Sequence, residues 1–233
     1  MEIHVAVAKI GKYAASESGD SFEMIERPHG GLSFVLVDGQ RSGKSAKAIS
    51  NVVARKAISL LADGVRDGAA ARAAHDYLYT HRRGKVSATL NILSVDLDSN
   101  SVRLACNNPA PAYILSSAGL ELVGAESAAV GVRPQTRPVI SEYTLAGGLT
   151  FVICTDGLLH AGERKGARMD IPAALQSLET QAPSDARHWA DELLSQALAL
   201  EEGRPGDDIS VLVLAVGEGK RDDVRRLSVT LPI

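Results

Sequence analysis

The sequence has few cysteines, no long apolar run and no excess of one charge, and each absence excludes a class of protein. Two cysteines, Cys106 and Cys154, are too few for a disulfide framework, and their apolar surroundings favour buried, reduced thiols. No stretch reaches the ~18 apolar residues that a membrane-spanning helix needs. A net charge of −3 gives no general attraction to nucleic acid or to an anionic membrane.

The N-terminal residues also lack the basic segment and following apolar segment of a secretory signal peptide. These absences predict a cytoplasmic protein that binds neither nucleic acid nor membranes. The chain has 233 residues, 45% of them hydrophobic and 23% charged, so it is long enough to bury a core. No repeat, low-complexity tract or linker divides it, and we expect a single domain over residues 1–233.

The spacing of apolar residues predicts more strands than helices. Predicted strands cover residues 3–10, 21–26, 32–37, 86–97, 102–106, 112–115, 139–145, 149–154, 209–216 and 224–231. Predicted helices cover residues 46–61, 67–81, 171–178 and 185–200, residues 119–138 are predicted to be a loop, and residues 139–145 and 149–154 a hairpin. The order lacks a βαβ rhythm and predicts an α+β fold, a four-layer α/β/β/α sandwich of two antiparallel sheets flanked by helix pairs.

Aspartates lie beside glycines at the ends of several predicted strands. They occur in Gly19-Asp20, Asp38-Gly39, Asp156-Gly157 and Gly206-Asp207-Asp208. A rigid sheet holds a carboxylate at its strand end, and the neighbouring glycine lets a ligand approach closely. Each dipeptide alone is a common turn, but carboxylates that meet on one rim need a cation. Hard ions such as Mg²⁺ and Mn²⁺ prefer such oxygen ligands.

Five motifs occur in order between about residue 10 and residue 216. They are Ser18-Gly19-Asp20-Ser21, Val37-Asp38-Gly39-Gln40-Arg41-Ser42-Gly43, Ser87-Ala88-Thr89-Leu90 with residues 102–109, Thr155-Asp156-Gly157-Leu158, and Gly206-Asp207-Asp208-Ile209-Ser210-Val211. Together they resemble the metal-dependent protein phosphatases, in the branch typified by the stage II sporulation protein E phosphatase domain. The compact chain is most similar to the feedback phosphatase type of a stress-response module.

The resemblance implies two divalent ions, Mn²⁺ or Mg²⁺, and a role for each acidic residue. Asp38 would bridge both ions, and the carbonyl of Gly39 would complete one site. Asp156 and Asp207 would bind the other ion, while Asp20 would lie at the edge, directly or through water. A water activated by the metals would then attack a phosphoserine or phosphothreonine, so no catalytic side chain is assigned.

Two further positions belong to these motifs. Asp208 is interpreted as a supporting or strand-start residue rather than a direct ligand. Arg41 stands where the resembled motif has glycine. Its guanidinium either contacts the substrate phosphate or simply lies on the surface, and the residues alone leave both possibilities open.

Two other functions compete with a phosphatase. The segment Gly39-Gln40-Arg41-Ser42-Gly43-Lys44-Ser45 resembles the phosphate loop of a nucleotide-binding hydrolase, but it is one residue short. Alternatively, the chain is a catalytically silent, phosphatase-like binding module, against which the intact aspartates argue.

The resemblance also implies a partner. Free-standing phosphatases of this branch act on phosphorylated antagonists of anti-sigma factors, which are small STAS-type proteins. We therefore expect a phosphorylated STAS-type regulator as the substrate, and a chain that holds the catalytic domain alone.

Overall fold

The computed structural model describes residues 1–182, 184–219 and 224–232. The strands of these residues are β1 (Glu2–Ile10), β2 (Asp20–Glu26), β3 (Leu32–Gly39), β4 (Ala88–Asp96), β5 (Ser101–Asn107), β6 (Ala112–Ser116), β7 (Gly119–Val123), β8 (Val139–Thr144), β9 (Thr150–Cys154) and β10 (Ile209–Gly217). The α-helices are α1 (Gly43–Ala62), α2 (Asp67–Arg82), α3 (Asp156–Leu159), α4 (Ile171–Gln181) and α5 (Ala186–Leu200).

The strands form two five-stranded sheets. Sheet A has the order β1-β10-β9-β6-β7, and sheet B has the order β2-β3-β4-β5-β8. All named strand pairs are antiparallel. The described chain therefore lacks the parallel βαβ core that a phosphate loop requires, and the nucleotide-hydrolase alternative loses its structural basis.

Each sheet is buried on both faces because successive side chains of a strand point in opposite directions. In β3, Phe34 and Leu36 lie in the core between the sheets, whereas Val35 and Val37 pack against the helices over sheet B. A third core lies on the outer face of sheet A. Trp189 of α5 is buried in it, with 1% of its surface exposed. The α+β, four-layer α/β/β/α sandwich predicted from the sequence is confirmed.

The predicted hairpin of residues 139–145 and 149–154 is wrong. β8 pairs with β5 in sheet B, whereas β9 pairs with β10 and β6 in sheet A. The two strands differ in environment, since β8 alternates between half-buried and exposed residues and β9 is buried throughout. The connection between them therefore crosses from one sheet to the other, with Leu145 and Leu149 buried in the inter-sheet core.

The predicted loop of residues 119–138 is also partly wrong. It begins with β7, which pairs with β6 at the edge of sheet A. Residues 119, 121 and 122 of this edge strand are exposed, so the strand carries little of the apolar alternation that identifies strands in a sequence.

Residues 224–231 form no strand, contrary to the prediction. Their apolar side chains alternate, yet those of Leu227, Val229 and Leu231 are 75%, 82% and 79% exposed. Alternation alone does not form a strand, because the backbone groups also need a partner sheet.

Candidate metal centre

Asp20 and Asp38 lie opposite each other at the open end of the β2–β3 hairpin. They are cross-strand partners in the antiparallel register, and Asp38 in turn faces Thr89 of β4. The backbone N–H of Asp38 donates to Thr89 Oγ1 at 3.3 Å. Because cross-strand partners project on the same side of a sheet, the two carboxylates share one face.

Asp20 is fully buried and connects the two sheets. Its Oδ2 accepts hydrogen bonds from Ser210 Oγ of β10 at 2.6 Å and from Thr155 Oγ1, just after β9, at 3.1 Å. Burial raises the pKa of Asp20 above its ordinary value, and the hydrogen bond from Ser210 opposes this. Its Oδ1 is buried and has no hydrogen-bond partner within the described residues. An orphaned acceptor of this kind is costly unless a ligand satisfies it.

Asp38 lies at the centre of an acidic cluster. Burial raises the pKa of its carboxyl, and the negative charge of Asp20 raises it further. The charges of Asp156 and Asp207 act in the same direction. The pKa of Asp156 is itself raised by partial burial and by Asp207. The four aspartates from separate motifs therefore converge on one region.

Asp156 and Asp207 enter this region from the sheet A side. Asp156 begins α3 two residues after the end of β9, and Asp207 lies two residues before the start of β10. Both line a small cavity of about 80 Å³. The motif Thr155-Asp156-Gly157-Leu158 thus contains a helical turn that was not predicted from the sequence. This turn places Asp156 in the wall of the cavity.

Glycines at three of the motifs are required by close packing. A Cβ on Gly39 would lie 2.1 Å from the carbonyl oxygen of Ala46, and one on Gly19 would lie 2.6 Å from the Ala46 side chain. A Cβ on Gly157 would lie 2.0 Å from the carbonyl oxygen of Asp208. The first turn of α1 and the residue before β10 therefore pack directly against the aspartate-bearing loops.

Asp208 is buried and binds backbone amides. Its Oδ1 accepts from the N–H of Lys12 and its Oδ2 from the N–H of Gly19, both at 2.9 Å. These bonds hold the segment before Asp20 against the start of β10. Both oxygens are thus engaged by the protein itself, in keeping with a supporting role.

Arg41 adopts the left-handed backbone conformation with φ at 82°, at the position where the resembled motif has glycine. Its side chain is exposed, and no hydrogen bond or ion pair joins its guanidinium to any described residue. The preceding Gln40 is held in place, since its Oε1 accepts from the N–H of Ser87 at 3.1 Å.

Two lysines that contact the backbone of Asp20 were not predicted from the sequence. The Nζ atoms of Lys9 and Lys47 donate to the carbonyl oxygen of Asp20, at 2.5 and 2.6 Å. Burial lowers the pKa of Lys9 to about 8, and the charge of Lys47 acts in the same direction. No local pattern marks these lysines, whereas the hydroxyls of Thr155 and Ser210 lie inside the quoted motifs and could have been found there.

The chemistry of these side chains suits a hard divalent cation, because they are carboxylates and the buried Oδ1 of Asp20 has no hydrogen-bond partner among the described residues. The side chains are widely spaced, however. Within residues 1–182, 184–219 and 224–232, no three His, Cys, Asp or Glu side chains are close enough together to hold a metal ion.

Solved structures share this fold. The PP2C phosphatase domain of the Bacillus subtilis cell fate determinant SpoIIE, with a fragment of its regulatory domain, has a TM-score of 0.80 and 20% identity over 93% of this chain and 64% of that chain. RsbX in complex with magnesium has a TM-score of 0.67 and 20% identity, covering 91% of this chain and 94% of that one. The catalytic domain of the phosphatase PstP with two manganese ions has a TM-score of 0.68 and 18% identity, covering 93% and 99%.

The four layers are those of the PP2C-type fold. Within that class, the family model for stage II sporulation protein E (SpoIIE) matches residues 28–217, and the chain belongs to the SpoIIE family.

The curated relatives of this chain are longer proteins. The stage II sporulation proteins E of Bacillus subtilis (strain 168) and Priestia megaterium are 23% and 22% identical to it, over 92% and 91% of this chain. The chain spans only 26% and 36% of their respective lengths. Separately, none of the described helices is both long and apolar enough to cross a membrane.

Proposed function

We propose that this chain is a metal-dependent protein phosphatase that hydrolyses phosphoserine or phosphothreonine. The observation that carries the proposal is the convergence of three other carboxylates around the half-buried carboxyl of Asp38. These carboxylates raise one another's pKa, and a bound cation would counter that effect. Mg²⁺ and Mn²⁺ suit them by chemistry, and the structural neighbours RsbX and PstP contain magnesium and manganese.

Each aspartate has a proposed role toward two such ions. Asp38 would hold both ions, and the Gly39 carbonyl would complete one site. Asp156 and Asp207 would hold the other ion, and Asp20 would lie at the edge, where its orphaned Oδ1 would bind directly or through water. When bound, the ions supply a water acidified to near-neutral pH and neutralise phosphate oxygens.

The remaining residues hold this arrangement. The hydroxyls of Thr155 and Ser210 fix the orientation of the Asp20 carboxylate, and Asp208 fixes the loop that precedes it. Lys9 and Lys47 hold the backbone of Asp20 from behind. These contacts preorganise the cluster so that less rearrangement is needed during the reaction.

A cysteine nucleophile is not part of the proposal. Cys106 and Cys154 are both buried, and burial raises the pKa of each thiol to about 12. The thiolate is the reactive form of cysteine, so neither residue suits the covalent route of cysteine phosphatases.

The proposed substrate is a phosphorylated protein of the STAS type. Membership in the SpoIIE family and the likeness of the fold to RsbX support this choice. The substrate, the number of ions and the hydrolytic activity are proposals for this chain.

The test is hydrolysis of p-nitrophenyl phosphate and of a phosphoserine peptide, with Mn²⁺, with Mg²⁺ and with a chelator. We expect turnover that needs a divalent ion and that falls at least 100-fold in Asp38→Asn and Asp156→Asn variants that retain their circular dichroism (about 2.7 kcal/mol or more). Asp191→Asn is the matched control, since Asp191 is an exposed residue of α5 and lies 3.8 Å from Arg187.

Wild-type turnover in both substituted variants, or turnover unaffected by the chelator, would contradict the proposal. A protein that binds a phosphorylated STAS-type regulator but hydrolyses neither substrate with either metal would instead be a silent binding module.

A further inference from the structure

Arg164 lines the same small cavity as Asp156 and Asp207. His160 and Gly206 form other parts of its wall. The cavity measures about 80 Å³, several times the roughly 10–15 Å³ that one water molecule occupies on this measure. The guanidinium of Arg164 and the carboxylates of Asp156, Asp207 and Glu201 therefore border one space at the edge of the acidic cluster.

The Arg164 guanidinium packs against Gly206. A Cβ on Gly206 would lie 2.7 Å from Nη1, 3.0 Å from Cζ and 3.2 Å from Nε of Arg164. The φ of Gly206 lies outside the left-handed region, so its backbone conformation does not require glycine. The guanidinium thus lies on the residue that directly precedes Asp207.

A buried carboxylate holds the two loops together. Glu201 is 5% exposed, its Oε1 accepts from the N–H of Gly162 at 2.7 Å, and its Oε2 accepts from the N–H of Gly206 at 3.0 Å. The turn that carries Arg164 and the loop that carries Asp207 are therefore attached to the same side chain. This bridge sets the distance between the guanidinium and the acidic cluster.

Among the described residues, the basic side chains next to Arg164 are paired, whereas Arg164 is not. Glu163 Oε1 lies 3.0 Å from His160 Nδ1 and 3.4 Å from Arg168 Nε, and Lys165 pairs with Glu202 at 2.5 Å. Within the described residues, no hydrogen bond or ion pair engages Arg164. Its donors remain available to a ligand in the cavity.

We propose, building on the phosphatase function proposed above, that Arg164 binds the phosphoryl group of the substrate and the phosphate that is released. A guanidinium presents two parallel N–H donors that match the spacing of phosphate oxygens. Arg164 is therefore the substrate-binding residue that the turn after α3 contributes to this site.

The same turn provides a matched control. Arg168 is also an arginine with an exposed side chain, but it lines a different, larger cavity of about 370 Å³ together with Tyr113 and Met169. It is engaged by Glu163. Removing Arg168 changes the net charge of the turn as much as removing Arg164 does, without touching the small cavity.

The test uses the full chain and the variants Arg164→Ala, Arg164→Lys and Arg168→Ala. Binding of inorganic phosphate in the presence of Mg²⁺ is measured by calorimetry, and KM and kcat are measured with p-nitrophenyl phosphate. Arg164→Ala should weaken phosphate binding and raise KM about tenfold or more, Arg164→Lys should recover part of the loss, and Arg168→Ala should stay within about twofold of wild type. Unchanged thermal unfolding of all three shows that the fold is intact.

Equal phosphate binding by wild type and Arg164→Ala would overturn the inference, and so would an equal loss in Arg164→Ala and Arg168→Ala. The calorimetric measurement needs no turnover. If wild type hydrolyses nothing yet binds phosphate through Arg164, the proposed function fails and the phosphate site stands.

Discussion

The carboxylate of Asp20 in sheet B accepts a hydrogen bond from the hydroxyl of Ser210 in sheet A at 2.6 Å. Both groups are buried, and the remaining partner of the same oxygen is Thr155 Oγ1 at 3.1 Å. Ser210 therefore satisfies part of a charge that the surrounding core would otherwise destabilise. This bond also sets the orientation of Asp20 toward the other aspartates.

Replacing Ser210 with alanine should lower the free energy of unfolding by about 1.5–3 kcal/mol, because hydrogen bonds to charged groups contribute this much. Chemical unfolding followed by circular dichroism measures the change. Ser117→Ala, in the exposed turn between β6 and β7, is the control and should stay within about 0.5 kcal/mol of wild type. Equal stability of Ser210→Ala and wild type would show that the bond contributes nothing net.

A second prediction concerns the buried ion pair of Arg27 and Asp67. Arg27 Nη1 donates to both carboxylate oxygens of Asp67 at 3.1 Å, and Ser94 Oγ donates to one of them. Asp67 is 2% exposed. Asp67→Ala leaves the guanidinium buried without its partner, so we expect a loss of about 3–5 kcal/mol of stability in urea unfolding.

The control for this pair is Arg103→Ala, which breaks a partly exposed cluster with Asp96 and Glu142. Partly exposed ion pairs contribute at most about 1 kcal/mol. If both variants lost the same free energy, burial of the Arg27–Asp67 pair would not explain its contribution.

A third prediction concerns pH and His75 of α2. The N–H of Gly131 donates to His75 Nδ1 at 3.0 Å, which fixes the neutral ring as an acceptor. Burial lowers the pKa of His75 below its ordinary value of 6.5, while Asp76 Oδ1, 3.8 Å from Nε2, acts in the opposite direction. The unfolded chain therefore takes up the proton first as the pH falls.

The stability that His75 contributes is thus complete above about pH 6.5 and is lost as the pH falls from there toward the lower pKa of the folded protein, by at most about 1.4 kcal/mol per pH unit. Melting temperatures between about pH 7.5 and 5.5 measure this slope. His75→Asn keeps an acceptor but cannot titrate, so its slope should be shallower than that of the wild type. A slope in His75→Asn equal to or steeper than the wild-type slope would contradict the assignment.

A fourth prediction concerns the backbone of Arg41, whose φ of 82° is unfavourable for a residue with a Cβ. The left-handed conformation costs about 1–2 kcal/mol, and glycine loses about 0.5–1 kcal/mol more than alanine through its unfolded-state entropy. Arg41→Gly should therefore stabilise the protein by up to about 1 kcal/mol and raise the melting temperature by roughly 2–4 °C. The control, Arg41→Lys, keeps the Cβ and should leave the melting temperature unchanged. A lower melting temperature for Arg41→Gly would mean that the arginine side chain stabilises the fold.

The strongly periodic elements were predictable from the sequence. The apolar runs of β3 and β10 and the helical spacing in α1 and α5 match the observed elements, because burial of each face forces its own period. The edge strand β7 and the sheet assignment of β8 were not, since exposed edges carry weak patterns and pairing depends on distant residues. The prediction of one domain over residues 1–233 stays a prediction.

The site divides in the same way. Asp20, Asp38, Asp156 and Asp207 could be found because each belongs to a short motif at a strand end, although their binding of metal remains a prediction. Glu201 and Arg164 could not be found, because their roles come from loops that meet only in the folded chain.

Asp20 and Ser210 are 190 residues apart in the sequence, and this separation affects when the acidic cluster forms during folding. Closing such a long loop costs entropy that is recovered only when both sheets have docked, so contacts of this range form late and slowly. A chain that has folded only one sheet would hold two aspartates at most in place. After dilution from denaturant, cation binding should then recover later than the helical signal in circular dichroism. The recovery of cation binding reports the docking of the two sheets.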